Sequence, residues 1–304
     1  MSRRTKLAYP NYYTQFNCIA DKCQHSCCIG WQIEIDNDTL ARYTATDGAF
    51  GQRLANNIDT TNKAHFVLKQ DGRCPFLNNQ GLCDIITTMG EDSLCNICKL
   101  HPRFFNNFWG CQEAGLGLCC EEASRIVLNQ QQSFELVNFC LDNYSKKEKR
   151  IVKLRQSLIQ TMQNRNLSLF QRHSQLLQQL ELSMPSSIAT AKQLYLGLEI
   201  LDSQWQTLLN NLANTPLEQL YNDLQLETSL EQLTVYFLYR HLGEAKDYEK
   251  AIDMTRFSVL STQMAMWLLH SNQQMSLTEI ARMYSAEIEY STINITKIIE
   301  YLHK

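Results

Sequence analysis

The sequence predicts a mainly α protein: an irregular, cysteine-rich metal-binding domain with short β-hairpins, followed by a helical bundle. Three observations carry this. First, the 304 residues include only eleven glycines and five prolines, well below the ~12% that the two usually contribute. Second, eleven of the twelve cysteines lie between Cys18 and Cys120; the twelfth is Cys140, and none follows it. Third, apolar residues beyond that point recur at spacings of three and four. The step in cysteine content near residue 140 divides the chain into expected domains 1–140 and 141–304.

Composition narrows the function classes. Hydrophobic residues make up 44% and charged residues 19%, enough apolar surface for a core and too little charge for a disordered chain. The net charge of −3 offers no basic field for nucleic acid or an anionic membrane. No run approaches the ~20 apolar residues of a membrane span. The opening MSRRTKLAYPNYYTQF has no apolar segment with a small-residue cleavage site, so a cytoplasmic location is expected. Thiols stay reduced there, and clustered cysteines then read as metal ligands before they read as disulfides.

Along the first part, Ile33 and Ile35 alternate with polar neighbours after Trp31, a short half-buried strand by period. Asp71-Gly72 is a tight-turn signal that places Cys74 just past a bend, and Asn78-Asn79-Gln80-Gly81 returns the chain to Leu82-Cys83. Cys140, in the apolar stretch Leu136-Val137-Asn138-Phe139, reads as buried packing. The run Lys146–Arg150 reads as a solvated helix start. Ile151, Leu154, Leu158 and Met162 mark one helix. Leu194, Leu198, Leu201, Trp205, Leu208 and Leu212 form a long seam. Thr215-Pro216-Leu217-Glu218 supplies a cap and a first-turn proline. Ser229 with Gln232 and Ser276 with Glu279 have capping-box spacing, and Gly243 suits a helix C-terminus. Five or six helices are expected here, and their apolar stripes read as core.

The cysteines run Cys18-x4-Cys23-x3-Cys27-Cys28, Cys74-x8-Cys83-x11-Cys95-x2-Cys98, Cys111 and Cys119-Cys120. The histidines near them are only His25 and His101, so thiolates dominate the donors. Zinc and an iron–sulfur cluster both suit such a set, and spacing leaves the two open. Adjacent side chains diverge, so one cysteine of each neighbouring pair is the expected ligand. A thiol redox protein is a weaker reading, because no CxxC precedes a βαβ pattern.

Further residues carry a resemblance: Phe16-x-Cys18, Cys23-x3-Cys27-Cys28-x-Gly30-Trp31, Asp36, Asp71-Gly72-Arg73-Cys74-Pro75-Phe76-Leu77, Gly81-Leu82-Cys83, Gly90-Glu91, Cys98-x2-His101-Pro102-Arg103 and Leu118-Cys119-Cys120-Glu121-Glu122-Ala123. In that order they resemble the flagellin lysine-N-methylase family and, more distantly, small zinc- or iron-chelating cysteine-cluster domains. The match is dense from about residue 9 to 128, and the helical part shares only general character. The resemblance implies a cytosolic S-adenosylmethionine-dependent protein-lysine N-methyltransferase that acts on flagellin and holds a [4Fe–4S] cluster. It places the recurrent cysteines on Cys18, Cys23, Cys27, Cys28, Cys74, Cys83, Cys98 and Cys120, and leaves Cys95, Cys111, Cys119 and Cys140 particular to this chain. Where the family has Cys-Pro-Glu this chain has Cys120-Glu121-Glu122, and family members tend to be longer.

The residues alone do not specify a methyl-donor site: there is no GxGxxG after a strand. Methyl transfer requires a lysine, with a side-chain pKa of ~10.4, to shed its proton before attack. Aromatic walls attract sulfonium and ammonium groups, and Trp31, Tyr43, Phe104, Phe105 and Trp109 lie near the cysteines. Glu91, Asp36 and Glu122 are candidate bases, with capping or surface roles as their alternatives. Arg103 is a candidate partner for the donor's carboxylate, its alternative being a structural bond to loop carbonyls. Glu91 and Arg103 are therefore the catalytic candidates, and Trp31 and Asp36 the cofactor-binding candidates. The competing function is a non-enzymatic zinc or iron–sulfur module whose bundle docks a protein.

Overall fold

A computed structural model describes residues 6–182, 188–222 and 226–303. Among these, fourteen α-helices and a few short strands confirm a mainly α chain. Two compact units form: Asn17–Phe104, and Met1–Phe16 together with Phe105–Lys304.

The larger unit is tied together by a four-stranded sheet of order β4-β5-β1-β6, comprising β1 (Lys6–Pro10), β4 (Arg103–Asn107), β5 (Cys111–Leu116) and β6 (Leu136–Val137). Strand β1 runs parallel to β5, with Lys6 opposite Cys111 and Ala8 opposite Glu113, and antiparallel to β6, with Tyr9 opposite Val137. This pairing draws the chain's start and residues 111–137 into one unit with the helices, so the step in cysteine content near residue 140 falls inside that unit.

Its helices are α5 (Glu121–Leu128), α6 (Lys146–Met162), α7 (Leu169–Gln178), α8 (Ile188–Leu196), α9 (Ser203–Asn210), α10 (Leu217–Asn222), α11 (Glu227–Gly243), α12 (Tyr248–Ser271), α13 (Leu277–Tyr284) and α14 (Thr292–Leu302). Helix α11 lies among α12, α6, α5 and α7. Its residues Leu230–Leu242 are buried without interruption, as a helix enclosed on all sides requires. A π-helical turn, Ser285–Glu289, separates α13 from α14. Among the described residues, no helix is long and apolar enough to cross a membrane.

Local chemistry sets several boundaries. Ser145 and Glu148 close a reciprocal capping box at α6, so the charged run does open a helix. Ser276 accepts from the Glu279 amide at α13, and α10 begins directly after Pro216. Four expectations fail. Among the described residues nine helices, α6 to α14, follow residue 140 where five or six are expected, because the longer periodic stretches are divided by turns. The Leu194–Leu212 seam is two helices, because the chain leaves α8 at Gly197 and Asp202 caps α9 anew. Ser229 lies inside α11, not at its cap. Cys140 is exposed, ahead of a single turn at Leu141–Asn143. Gly243 is the last residue of α11; a Cβ there would stand 2.0 Å from Asn106 Nδ2, so close approach rather than a left-handed turn calls for glycine.

The smaller unit has α1 (Asn37–Thr44), α2 (Gly48–Asn56), the two-stranded β2 (Ile58–Asp59) and β3 (His65–Phe66), α3 (Asp84–Met89) and α4 (Asn96–Leu100). Ile33 and Ile35 are buried as their alternation predicts, although the segment makes only an isolated bridge, Glu34 to His65. They join Tyr43, Leu54, Phe66, Phe76, Leu77 and Ile85 in a core that also takes in Cys74 and Cys95.

Candidate functional site

Two hairpin-like turns build the cysteine cluster of the smaller unit. Gly72 has φ +76° and its amide bonds the Lys69 carbonyl, a left-handed position that glycine occupies without a Cβ clash. The turn lets Ile29 bridge Arg73 and brings the Cys74 amide to the Cys28 carbonyl at 2.8 Å. The second turn, with Gly81 at φ +78°, bridges Leu77 to Cys83. Arg53 braces both: one guanidinium nitrogen donates to the Pro75 carbonyl at 2.8 Å and to Asp84 Oδ2 at 2.7 Å, while the group lies over the Phe76 ring. The predicted bends at Asp71-Gly72 and Asn78–Gly81 are both present.

These turns place Cys28, Cys74 and Cys83 within electrostatic reach of one another, and Cys98 within reach of Cys27 and Cys28. Burial pushes the Cys74 thiol up to about 12 and raises Cys83, against the amides of Phe76 and Leu77 in one case and Ile86 and Ile85 in the other. Two thiols are shifted the other way. A hydrogen bond from Cys27 lowers Cys28 to about 7, with help from Ser26 and the Arg73 charge. A hydrogen bond from Cys98 lowers Cys95 to about 7, and the proton held between them raises Cys98. The cluster is therefore rich in soft donors, Cys28 and Cys95 biased toward thiolate and Cys74, Cys83 and Cys98 away from it, and sulfur is the donor chemistry of a thiophilic metal. Among the described residues, no three His, Cys, Asp or Glu side chains converge closely enough to hold a metal ion in this structure.

The remaining sequence-derived candidates separate. Cys18 is exposed and Cys23 half-buried in the irregular segment before Cys27, itself exposed. Cys120 belongs to the larger unit, at the N-terminus of α5. Trp31 is 39% exposed; its indole N–H bonds the Cys27 carbonyl and its ring lies 6.2 Å from that of His101. Asp36 is the N-cap of α1, with one oxygen on the Thr39 amide and the other on the Asn96 amide at 2.8 Å. Burial opposes its charge, but these bonds hold its carboxyl below the usual range, so the capping alternative describes it. Glu91 is exposed at the head of the turn Glu91–Ser93. Arg103 is half-buried at the start of β4. Glu122, in the larger unit, is paired with Arg125 at 2.6 Å. Tyr43 is core, its hydroxyl on the Ser93 carbonyl, whereas Trp109 stands 66% exposed in the β4–β5 turn.

Two further residues of this region lie outside the recurrent cysteines that the resemblance supplies. Cys95 is wholly buried, and its x2 spacing to Cys98 suits two thiolates on one metal. His101 keeps a buried Nε2 without a hydrogen-bond partner, and burial lowers its imidazole to about 4, so it is neutral near pH 7.

Fold and thiols together define a mainly helical protein with a cysteine cluster in its smaller unit. Over 134 residues the chain is 28% identical to the flagellar biosynthetic protein FliU of Salmonella muenchen, covering 42% of this chain and 79% of that one. It is 27% identical over 134 residues to the lysine-N-methylases of Salmonella typhimurium and Salmonella choleraesuis. Those matches also take in 42% of this chain, but only 33% of either relative. The chain's resemblance to the flagellin lysine-N-methylase family is thus carried by curated relatives, over less than half of its length. No family model and no solved structure matches the chain.

Proposed function

We propose that this protein is a protein-lysine N-methyltransferase that moves a methyl group from S-adenosylmethionine to lysine ε-amines of flagellin, with a metal group held by the smaller unit. The observation that carries the reading is the 134-residue similarity to two proteins named lysine-N-methylase. The name of the third relative, a flagellar biosynthetic protein, favours a flagellar protein as substrate. In the transfer, the lysine nitrogen loses its proton, its lone pair takes the methyl carbon, and the sulfonium leaves as a neutral thioether. Glu91 is an exposed base beside the cluster segment, Arg103 a cation for the donor's carboxylate, and Trp31 an accessible aromatic face for the cationic donor. Their assignment to these roles belongs to the proposal.

The thiol chemistry of the cluster fits a metal group. Cys28, Cys74, Cys83 and Cys98 would hold it, and a bound cation would offset the burial that raises Cys74 and Cys83. A [4Fe–4S] cluster is the proposed group, by family resemblance, and zinc is its alternative. One experiment tests the function. Full-length protein purified without oxygen is incubated with S-adenosylmethionine and flagellin, and intact mass is read for added methyl groups. Methylation lost in a donor-free control supports the proposal; unmodified flagellin, with iron and acid-labile sulfide present in the enzyme, counts against it.

A second reading has its own support. The chain spans 79% of FliU but a third of either lysine-N-methylase, so a non-enzymatic metal-binding module with a helical docking surface also fits the shared region. Stoichiometric metal with no methyl transfer would favour it.

A further inference from the structure

Helix α6 opens with Lys146-Lys147-Glu148-Lys149-Arg150-Ile151-Val152-Lys153, five cations against one carboxylate in a chain whose net charge is −3. Ile151, Val152, Arg155 and Leu158 bury one side of this helix. Lys146, Lys147, Arg150 and Lys153 are exposed on the other. Lys149 pairs with Asp142 at 3.0 Å; among the described residues, the four exposed cations have no carboxylate partner. The one carboxylate of the run is committed to backbone amides. Glu148 accepts from Ser145 at 2.7 Å and from Trp109 at 3.2 Å.

This arrangement works against α6 itself. Cations are least favourable at the positive end of a helix dipole, where Lys146, Lys147 and Lys149 stand. Lys146 with Arg150 and Lys149 with Lys153 set like charges one turn apart, and such pairs repel. The fold gains no internal ion pair from the exposed four, so the charge that would relieve their repulsion has to come from another molecule.

Two aromatic side chains flank them. Trp109 is 66% exposed, and its amide ties it to Glu148. Tyr248 is 36% exposed, with the Arg150 guanidinium 5.1 Å from its ring centre. Trp, Tyr and Arg are the residues that carry most of the energy of protein–protein interfaces, and surrounding charges steer the partner in. The patch is also local. Lys146 to Lys153 covers about 10 Å of helix, and the neighbouring Lys246–Lys250 segment balances two lysines with Asp247 and Glu249. A nucleic acid or an anionic membrane would overrun this patch onto a chain of net negative charge, whereas a short acidic segment is neutralised within it.

We infer that the exposed face of α6 at Lys146, Lys147, Arg150 and Lys153, flanked by Trp109 and Tyr248, docks a short acidic segment of a partner protein. The inference is independent of the metal site and of methyl transfer.

The test uses full-length protein and, as the probe, a fluorescein-labelled peptide of ten glutamates, read by anisotropy. Wild type is expected to bind it, severalfold more weakly at about 200 mM salt than at about 50 mM. Lys146→Glu, Lys147→Glu and Arg150→Glu combined should weaken binding about tenfold or more. The same change at Lys22, Lys63 and Lys69, exposed lysines of the smaller unit, gives the same net charge and should alter binding less than about twofold. Zero-length carbodiimide coupling on wild type needs no variant: peptide carboxylates should join Lys146, Lys147 and Lys153 ahead of other lysines. Equal weakening by the two triple variants, or coupling spread evenly over exposed lysines, would overturn the inference. So would failure of the peptide to bind, as would binding of phosphatidylglycerol vesicles or single-stranded DNA through the α6 cations without binding of the peptide.

Discussion

Glu113 and Arg155 show how single residues hold the larger unit. Both side chains are essentially inaccessible, at 0% and 1%, and meet through two bonds of 2.6 and 2.7 Å, with the Tyr144 hydroxyl donating to the same carboxylate. Removing one partner strands a buried charge, which typically costs ~3–5 kcal/mol. Glu113→Gln should therefore lower the denaturant midpoint strongly. Replacing the pair together with apolar residues of similar volume should recover much of the loss. His173 makes a pH-dependent contribution. Its ring bonds Tyr221 on one side and Thr234 on the other, and burial, reinforced by the Arg172 charge, lowers it to about 3. The unfolded chain takes up this proton near its ordinary pKa of ~6.5, the native chain only near 3. The stability involved is present in full above pH ~6.5 and is lost as pH falls toward 3. His173→Gln should flatten the slope of unfolding free energy against pH in that window, and an unaltered slope would remove His173 as a source.

At the scale of elements, the chain's local signals act where nothing outweighs them. The Ser145–Glu148 box satisfies donors at the exposed start of α6, and Glu148 also accepts from the Trp109 amide. Ser145→Ala should cost ~1 kcal/mol, read as a lower thermal midpoint with α6 fraying first in hydrogen exchange. The same spacing at Ser229 and Gln232 sets no boundary, because Glu227 and Leu230 already belong to a helix whose burial continues through Leu242. Packing outweighs a cap's contribution there. The Leu194–Leu212 seam fails for a different reason. Its spacing is helical throughout, but the Leu201 and Asp202 amides bond the Glu287 carboxylate and the Glu199 amide bonds Asn294, partners about ninety residues away in sequence. A periodic pattern cannot register a break made by such distant groups.

For the whole molecule, the cysteine cluster and the helices fall in separate compact units, and metal removal should distinguish them. A small unit with two short strands and modest helices would depend on the proposed metal more than one centred on two long buried helices. Chelation under reducing conditions should accelerate amide exchange across Asn17–Phe104 and leave Leu230–Leu268 protected. Equal acceleration in both would indicate that metal stabilises the chain as one cooperative body, and no change would argue against a structural metal.

The sequence by itself determined the helical class, the start of α6, the start of α10 after Pro216, the Ser276 cap and the glycine turns that precede Cys74 and Cys83. Each of these follows from a few neighbouring residues whose backbone preferences and hydrogen bonds are local. It also carried the family pattern of its cysteines. Tertiary structure alone decided which cysteines share an environment: Cys95 joins Cys74 in one core, Cys120 lies in the larger unit, and Cys140 is exposed. Spacing records how far apart thiols stand along the chain, whereas their chemistry depends on burial and on the charges opposite each sulfur. Those are supplied by segments that meet only when the chain has folded.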